Sequence, residues 1–387
     1  MWGHDKDVPR VNSSGVLLPL AEPQKTSLND GGLPPRPAAS KELGYESMGS
    51  LADSRQYAEL KILISRQRLF EKQQFYYLLR MLLNFCLLGL ALTVLFFVKN
   101  FGWQLVNAAF LGFVFTQMGF IVHDSGHHQI LGTDRRNDLL GIFHADLCLG
   151  FSYMRWVTTH NMHHGSPNQL GVDPDVDFPV FTFTESQTIQ KRGFWRWIAK
   201  YQSYFFFPLL LLEAMNLKID CIRFLTRNNV KYHRTEAICL VIHFILYFTV
   251  IFHCLNGAHA VLFILVNQMV FGLYLGLVIA PNHIGMPILD ENCGLDFLTR
   301  QLMTTRNLRR HPFTDYVYGP LCCQIEHHLF PTIPLNKLRT AQEIVRHYCQ
   351  AQALTYYETS PLQSYREIIS FLHRISAPLR HQLERRH

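Results

Sequence analysis

The stretch Val122-His123-Asp124-Ser125-Gly126-His127-His128 closes an apolar run that opens at Trp103, and its reading decides the fold. About 20 apolar residues in a helix match the roughly 30 Å of hydrocarbon in a bilayer. These histidines therefore emerge where a membrane span ends. On a helix His123 and His127 are four residues apart and share one face. Two further clusters answer the first: His160-Asn161-Met162-His163-His164 and Gln324-Ile325-Glu326-His327-His328. His160 lies three and four residues from His163 and His164, so that cluster also points imidazoles one way. His327 and His328 are adjacent and diverge on a helix, serving either two different metal ions or one ion and an outer position. Imidazole is a neutral, borderline ligand suited to zinc, copper, iron and nickel. Three such clusters point to a metal site.

Composition supports the membrane reading. The chain has 387 residues, of which 48% are hydrophobic and 17% charged, against about 25% charged in soluble domains. Four apolar blocks are long enough to span, at residues 76–98, 103–122, 237–254 and 258–280. Linkers at 99–102 and 255–257 join them as two hairpins. Lys99 is the only basic residue in the linkers, whereas Arg66, Arg68, Lys72, Lys191, Arg192, Arg227, Lys231 and Arg234 flank the spans elsewhere. The positive-inside bias then puts both termini and the central segment, with all three clusters, on the cytosolic face. A net charge of +7 suits anionic headgroups. The basic residues form no separate domain, which argues against nucleic-acid binding. Nine cysteines without a CxxC pair, and no cleavable signal segment at the start, read as reduced structural thiols, Cys322-Cys323 included.

Residues 1–50, rich in Pro, Gly and Ser, read as a disordered cytosolic tail. Residues 51–74 read as a helix on the membrane surface. The stretches 139–151 and 204–212 are too short to cross and are expected as interfacial or re-entrant helices. Asp173-Pro174-Asp175 marks a loop, Trp195 and Trp197 an interfacial anchor. Asn282-His283 follows the fourth span at the depth of the clusters. After Pro334, apolar positions at Leu335, Leu338, Ile344, Val345, Ile368, Ile369 and Leu372 are spaced for amphipathic helices. The expected fold is an all-α membrane protein with four transmembrane helices in two hairpins under a cytosolic helical cap. The main domain is expected over 51–348 and a helical tail over 349–387.

Eight histidines, His123, His127, His160, His163, His164, His283, His327 and His328, are enough for two metal ions with open positions, which means chemistry. An oxygen-activating iron pair at a membrane surface suits a lipid substrate attacked at an unactivated methylene. The motifs HDxGH at 123–127, HxxHH at 160–164 and QxxHH at 324–328 resemble those of the membrane fatty acid desaturase superfamily. The form Gln-Ile-Glu-His-His-Leu-Phe-Pro resembles the front-end desaturases and related bacterial acyl-CoA or acyl-lipid enzymes, and Asn282-His283 resembles the family's histidine after the last span. The segment around Pro167-Asn168-Gln169 and Asp173-Pro174-Asp175 is similar to linoleoyl-CoA or stearoyl-CoA desaturases. The resemblance runs over about residues 75–348.

It implies a non-haem di-iron centre, held by the eight histidines, that consumes O2 and two external electrons to form a cis double bond and water. Gln324 then acts as a ligand, through water, or by hydrogen-bonding a ligand. His128 is a ligand or, preferably, an outer group supporting one. Asp124, Glu326 and Asn282 are expected to orient imidazoles. A hydroxylase, acetylenase or conjugase on the same scaffold is the alternative chemistry. A histidine-rich metal transporter or zinc hydrolase is the alternative class, although transport places ionisable ligands inside the spans. Many front-end enzymes carry a fused cytochrome b5 marked His-Pro-Gly-Gly. Here His311-Pro312 is followed by Phe-Thr, so electrons are expected from a separate ferredoxin, flavoprotein reductase or cytochrome b5. Arg306, Arg309 and Arg310 form a candidate docking patch for an acidic donor, which contact with lipid headgroups explains equally well.

Overall fold

The computed structural model describes residues 49–177, 180–228 and 230–384, so the tail expected over 1–50 lies almost entirely outside the described residues. In chain order the first helices are α1 (Gly49–Arg66), α2 (Gln74–Phe97), α3 (Phe101–Gly126), α4 (Asp134–Ile142, continued by a π-helical turn Phe143–Leu149), α5 (Tyr153–Gly165), α6 (Glu185–Gln190), α7 (Gly193–Lys200), α8 (Gln202–Leu210) and α9 (Glu213–Arg227). They are followed by α10 (His233–Cys254), α11 (Gly257–Ile279), α12 (Phe297–Thr304), α13 (Pro312–Tyr318), α14 (Gln324–Leu329), α15 (Leu338–Ala351), α16 (Pro361–Ile375) and α17 (Ala377–Glu384).

Helices α2, α3, α10 and α11 are long and apolar enough to cross a membrane. The second helix of each consecutive pair starts on an asparagine cap that allows a tight turn. Asn100 Oδ1 accepts from Trp103 N at 3.2 Å, and Asn256 Oδ1 accepts from His259 N at 3.0 Å. Helices α2 and α10 turn Leu78, Leu82, Ile238 and Ile245 outward, a surface that suits lipid and not water. The centre belongs to α3, whose most apolar window is 67% buried against 17% for α2. Its backbone touches that of α11 at Gly112, where a Cβ would lie 2.9 Å from the Asn267 carbonyl oxygen and the Phe271 nitrogen. Close packing of this kind, with interhelical hydrogen bonds such as Asn267 Nδ2 to the Ala108 carbonyl at 3.3 Å, drives association where lipid removes the hydrophobic effect.

Of the remaining helices, α4, α5 and α9 pack Ile142, Tyr153, Ala214 and Leu217 into the core around α3 and α11, and two further cores form beside it. One packs Leu60 and Ile64 of α1 on Leu302, Leu329 and Val345. The other packs Phe206 and Leu210 of α8 on Ile368 and Leu372 of α16. A two-residue parallel pairing joins β1 (Asn307–Leu308) to β2 (Glu358–Thr359).

Several sequence expectations change here. Helix α3 runs to Gly126, past the expected end at 122, so His123 stands on the spanning helix itself. Helix α1 stops at Arg66 and buries Leu60 and Ile64 against protein; it is no simple surface lead-in to α2. The boundary expected at 348 falls within α15, and the segment beyond it is tied into the body by β2 and α16. Length and period located these helices but carried no information on their partners.

Candidate metal centre

Helix α3 presents His123 near its C-terminal end, and His127 caps it. Helix α5 carries His160, His163 and His164, and the short α14 carries His327 and His328. His283 follows the 3-10 turn Ala280–Asn282 that ends α11. The structure brings all eight together. His123, His127, His160 and His327 form one group with ligand nitrogens within 4.8 Å of one another, and His163, His283 and His328 form a second. His164 lies between them. Its Nε2 is 3.1 Å from that of His160, and its ring stacks on His328 with centroids 4.0 Å apart. His327 and His328 point apart, at 87° between planes, one into each group.

Hydrogen bonds at the far nitrogen set the tautomer of several rings. His123 Nδ1 is 2.9 Å from Asp124 Oδ1, His163 Nδ1 2.9 Å from Asp173 Oδ2, His328 Nδ1 2.9 Å from Gln301 Oε1, and His283 Nδ1 3.1 Å from the Thr304 carbonyl. Each acceptor holds the ring proton on Nδ1 and leaves the Nε2 lone pair facing inward. His123 Nε2, His328 Nε2 and both ring nitrogens of His327 are buried without a hydrogen-bond partner. Nε2 atoms also face one another at 3.0 Å (His127, His160) and 3.3 Å (His163, His283). Converging lone pairs repel unless something positive satisfies them, so this donor set fits metal cations.

Burial, and then the neighbouring imidazoles, push His127, His160, His164, His327 and His328 well below the usual histidine pKa. Burial and His163 do the same to His283. All six are therefore neutral at physiological pH, as ligands must be. His163 differs. Burial lowers its pKa, but Asp175 and Asp173 outweigh it and the net direction is up.

The other expected site residues divide. Gln324 is buried, and its Nε2–H donates to His283 Nε2 at 3.2 Å while Oε1 has no partner. Asp124 Oδ1 lies 2.9 Å from His123 Nδ1. Glu326 does not orient an imidazole by hydrogen bond: it accepts from Asn307 Nδ2 at 2.8 Å and Tyr356 OH at 2.9 Å. On α14 it lies about 100° around the helix from His327 and turns toward Asn307 and Tyr356. Burial raises its carboxyl to about 7. Asn282 ties the chain before His283, donating to the Arg306 and Leu321 carbonyls at 3.0 and 2.7 Å, and contacts no imidazole among these bonds. His128 adopts a left-handed backbone, φ 52°, which turns its ring out of both groups to Asp134 and Asp138 at 3.1 and 3.2 Å. The expected arginine patch also dissolves. Arg306 is fully buried and pairs with Glu367 at 2.6 Å, Arg310 is taken up by Asp315 at 2.7 Å, and only Arg309 is exposed.

The residues that sequence reasoning missed are the acceptors Asp173, Gln301 and Thr304. Asp173 had drawn notice as part of a loop and of the segment that carries the family resemblance, but not as a partner of His163, and nothing in the sequence around Gln301 or Thr304 marks them.

Beside the histidines lies a cavity of about 270 Å³. Thr116, Gly119, Phe120 and His123 line it from one face of α3, Phe271 and Leu275 from α11, and Trp156, His160 and His163 from α5. Phe206, Leu210 and Leu217 extend the apolar wall, while Arg155, Asp175 and Glu213 supply charge. Burial, with Asp175 and Asp220 adding to it and Arg155 opposing, lifts Glu213 to about 7.

Comparison with known proteins finds relatives in sequence. The acyl-lipid (9-3)-desaturase of Physcomitrium patens is 27% identical over 314 residues, covering 79% of this chain and 59% of that protein. The Delta(8)-fatty-acid desaturase of Euglena gracilis is 31% identical over 290 residues, 71% of this chain and 68% of that one. The Delta(5) fatty acid desaturase fat-4 of Caenorhabditis elegans is 27% identical over 317 residues, 78% and 70% of the two chains. The chain thus spans 59% to 70% of the length of these relatives. The sequence profile described as fatty acid desaturase matches residues 101–360. A membrane protein whose histidine groups open onto an apolar cavity, this chain belongs to the fatty acid desaturase family.

Proposed function

We propose that the chain is an oxygen-dependent acyl desaturase that introduces a cis double bond into a fatty acyl chain. The observation that carries this reading is the convergence of eight histidines beside a largely apolar cavity whose wall includes His123, His160, His163 and His283. His123, His127, His160 and His327 would hold one iron and His163, His283 and His328 a second, with His164 within reach of both. Gln324 sits beside this second group, its side-chain amide 3.2 Å from His283 Nε2. When bound, the iron pair supplies the activation of O2 that removing hydrogen from an unactivated methylene requires. Overall, two hydrogens leave adjacent carbons, and with O2, two external electrons and two protons they give two waters.

The chain's own residues do the rest. Asp173, Gln301, Asp124 and the Thr304 carbonyl hold protons on Nδ1 and keep the Nε2 lone pairs inward. Phe120, Phe271 and Leu275 enclose the acyl chain and exclude water from the methylenes beside His163. The electrons come from an external donor such as a ferredoxin, flavoprotein reductase or cytochrome b5. The histidine end faces the cytosol, a reading supported by the basic residues that flank the spans and by the single Lys99 in the opposite turns.

The test is a fatty-acid profile by gas chromatography and mass spectrometry from cells expressing the chain with a donor system, beside His163→Ala. A new double bond absent from the variant is expected. A hydroxylated product would replace this reading with hydroxylation on the same scaffold, and iron-free protein would remove the metal assignment.

A further inference from the structure

The cavity is bounded unequally along α3, and this carries an inference that rests on the acyl reading above. Thr116, Gly119, Phe120 and His123 fall on one face at spacings of three and four residues and all line the cavity. Gly119 stands about 6 Å along the helix axis from His123, on the side toward the middle of the span. A Cβ added there would meet no atom within 4 Å, so its neighbourhood is the cavity itself. Gly112, one turn beyond Thr116, is the opposite case. A Cβ there would strike the Asn267 oxygen, the Phe271 nitrogen and the Val270 side chain at 2.9 to 3.0 Å. The two backbones touch at that level, and the space between α3 and α11 ends.

The open length between His123 and this contact is thus set by a helix that cannot be pushed aside. The charged lining at Arg155, Asp175 and Glu213 comes from α5, α9 and the 174–176 turn. The apolar end between α3 and α11 is therefore where a methyl terminus fits.

We infer that Gly119 is a specificity-determining residue: by having no side chain it keeps the methyl-end compartment open, and the contact at Gly112 sets that compartment's depth. A larger residue at 119 fills the compartment one turn from His123. Long acyl chains are then excluded while shorter ones still reach the histidines. One methylene too many in a filled apolar pocket is worth about 10-fold or more in discrimination.

The experiment compares the full chain with Gly119→Ala and Gly119→Leu. Gly89→Leu serves as control, because Gly89 is also unobstructed but lies on the exposed side of α2. Myristate and arachidate are offered together to each purified protein in detergent. Retention of each acid is read by native mass spectrometry, and double-bond products are read separately in cells. Gly119→Leu is expected to lower the arachidate-to-myristate ratio about 10-fold or more, Gly119→Ala less, and Gly89→Leu not at all. An unchanged ratio in a folded Gly119→Leu protein overturns the assignment even if both acids are desaturated. Retention that shifts as expected without any double bond leaves Gly119 assigned and sinks the desaturase reading. Retention of neither acid by the wild type overturns both.

Discussion

Replacing Asp173 with Asn tests whether the partners behind the imidazoles set the strength of the metal site. Asp173 is 1% exposed and fully engaged. Its Oδ2 accepts from His163 Nδ1 at 2.9 Å and from Asn168 N at 2.7 Å, and its Oδ1 from Asp175 N at 3.0 Å. An asparagine oxygen at the Oδ2 position keeps the first two bonds. Its amino group then confronts the Asp175 N–H, so one hydrogen bond is lost, about 1 kcal/mol of stability. The larger effect is electrostatic. With Asp175, the Asp173 carboxylate raises the basicity of His163 against the lowering by burial, and Asn removes that charge. Loss of such a partner lowers metal affinity by about 10 to 100-fold, or roughly 1.4 to 2.8 kcal/mol. Asp173→Ala would further leave the buried Asn168 N–H without an acceptor, at about 1 to 3 kcal/mol. Iron bound per chain, measured against buffered free iron in detergent, separates the two variants: Asn loses affinity with little loss of melting temperature, Ala loses both. Wild-type iron affinity in Asp173→Asn would refute the reasoning.

Gln301→Leu removes both the acceptor for His328 Nδ1–H and the donor to the His164 carbonyl at 2.8 Å, and the same iron titration should show about a 10-fold loss. Glu367→Ala strands the buried Arg306 guanidinium, which also donates to the Pro281 carbonyl and, at 2.7 Å, to the Ile284 carbonyl around His283. Breaking such a pair costs about 3 to 5 kcal/mol, so an unchanged melting temperature would argue that the pair does not hold α16 in place. Lys218 is buried against the Leu149 and Gly150 carbonyls, at 2.6 and 3.2 Å, and burial lowers its pKa to about 8. Between about pH 8 and the ordinary lysine value near 10.4 the unfolded chain holds a proton that the folded chain has released. Stability contributed by this group therefore rises with pH across that window, on the order of 3 kcal/mol in total. The melting temperature of the wild type minus that of Lys218→Met should climb from pH 8 to pH 10; a flat difference would place the lysine in a better-solvated setting.

The spans and the three histidine clusters were legible because both are local signals. An apolar block of bilayer length needs no partner to be recognised, and His160, His163 and His164 share a helix face by spacing alone. The sequence by itself thus determined four spanning helices, which residues bring imidazole, and that the imidazoles gather at one end of the spans. It could not show that His327 and His328 enter different groups, because the direction of adjacent side chains depends on where a six-residue helix docks. Nor could it reveal Asp173, Gln301 and Thr304 as acceptors, since these sit 10, 27 and 21 residues from the histidines they serve with no periodic relation to them. Arg306 looked like a surface cation and is a buried clamp, since a charge of that size goes inside only when a partner such as Glu367 comes from a distant helix. Tertiary structure alone decided the tautomers, the grouping of the ligands and the shape of the cavity, because each is set by contacts between segments whose meeting no local pattern encodes.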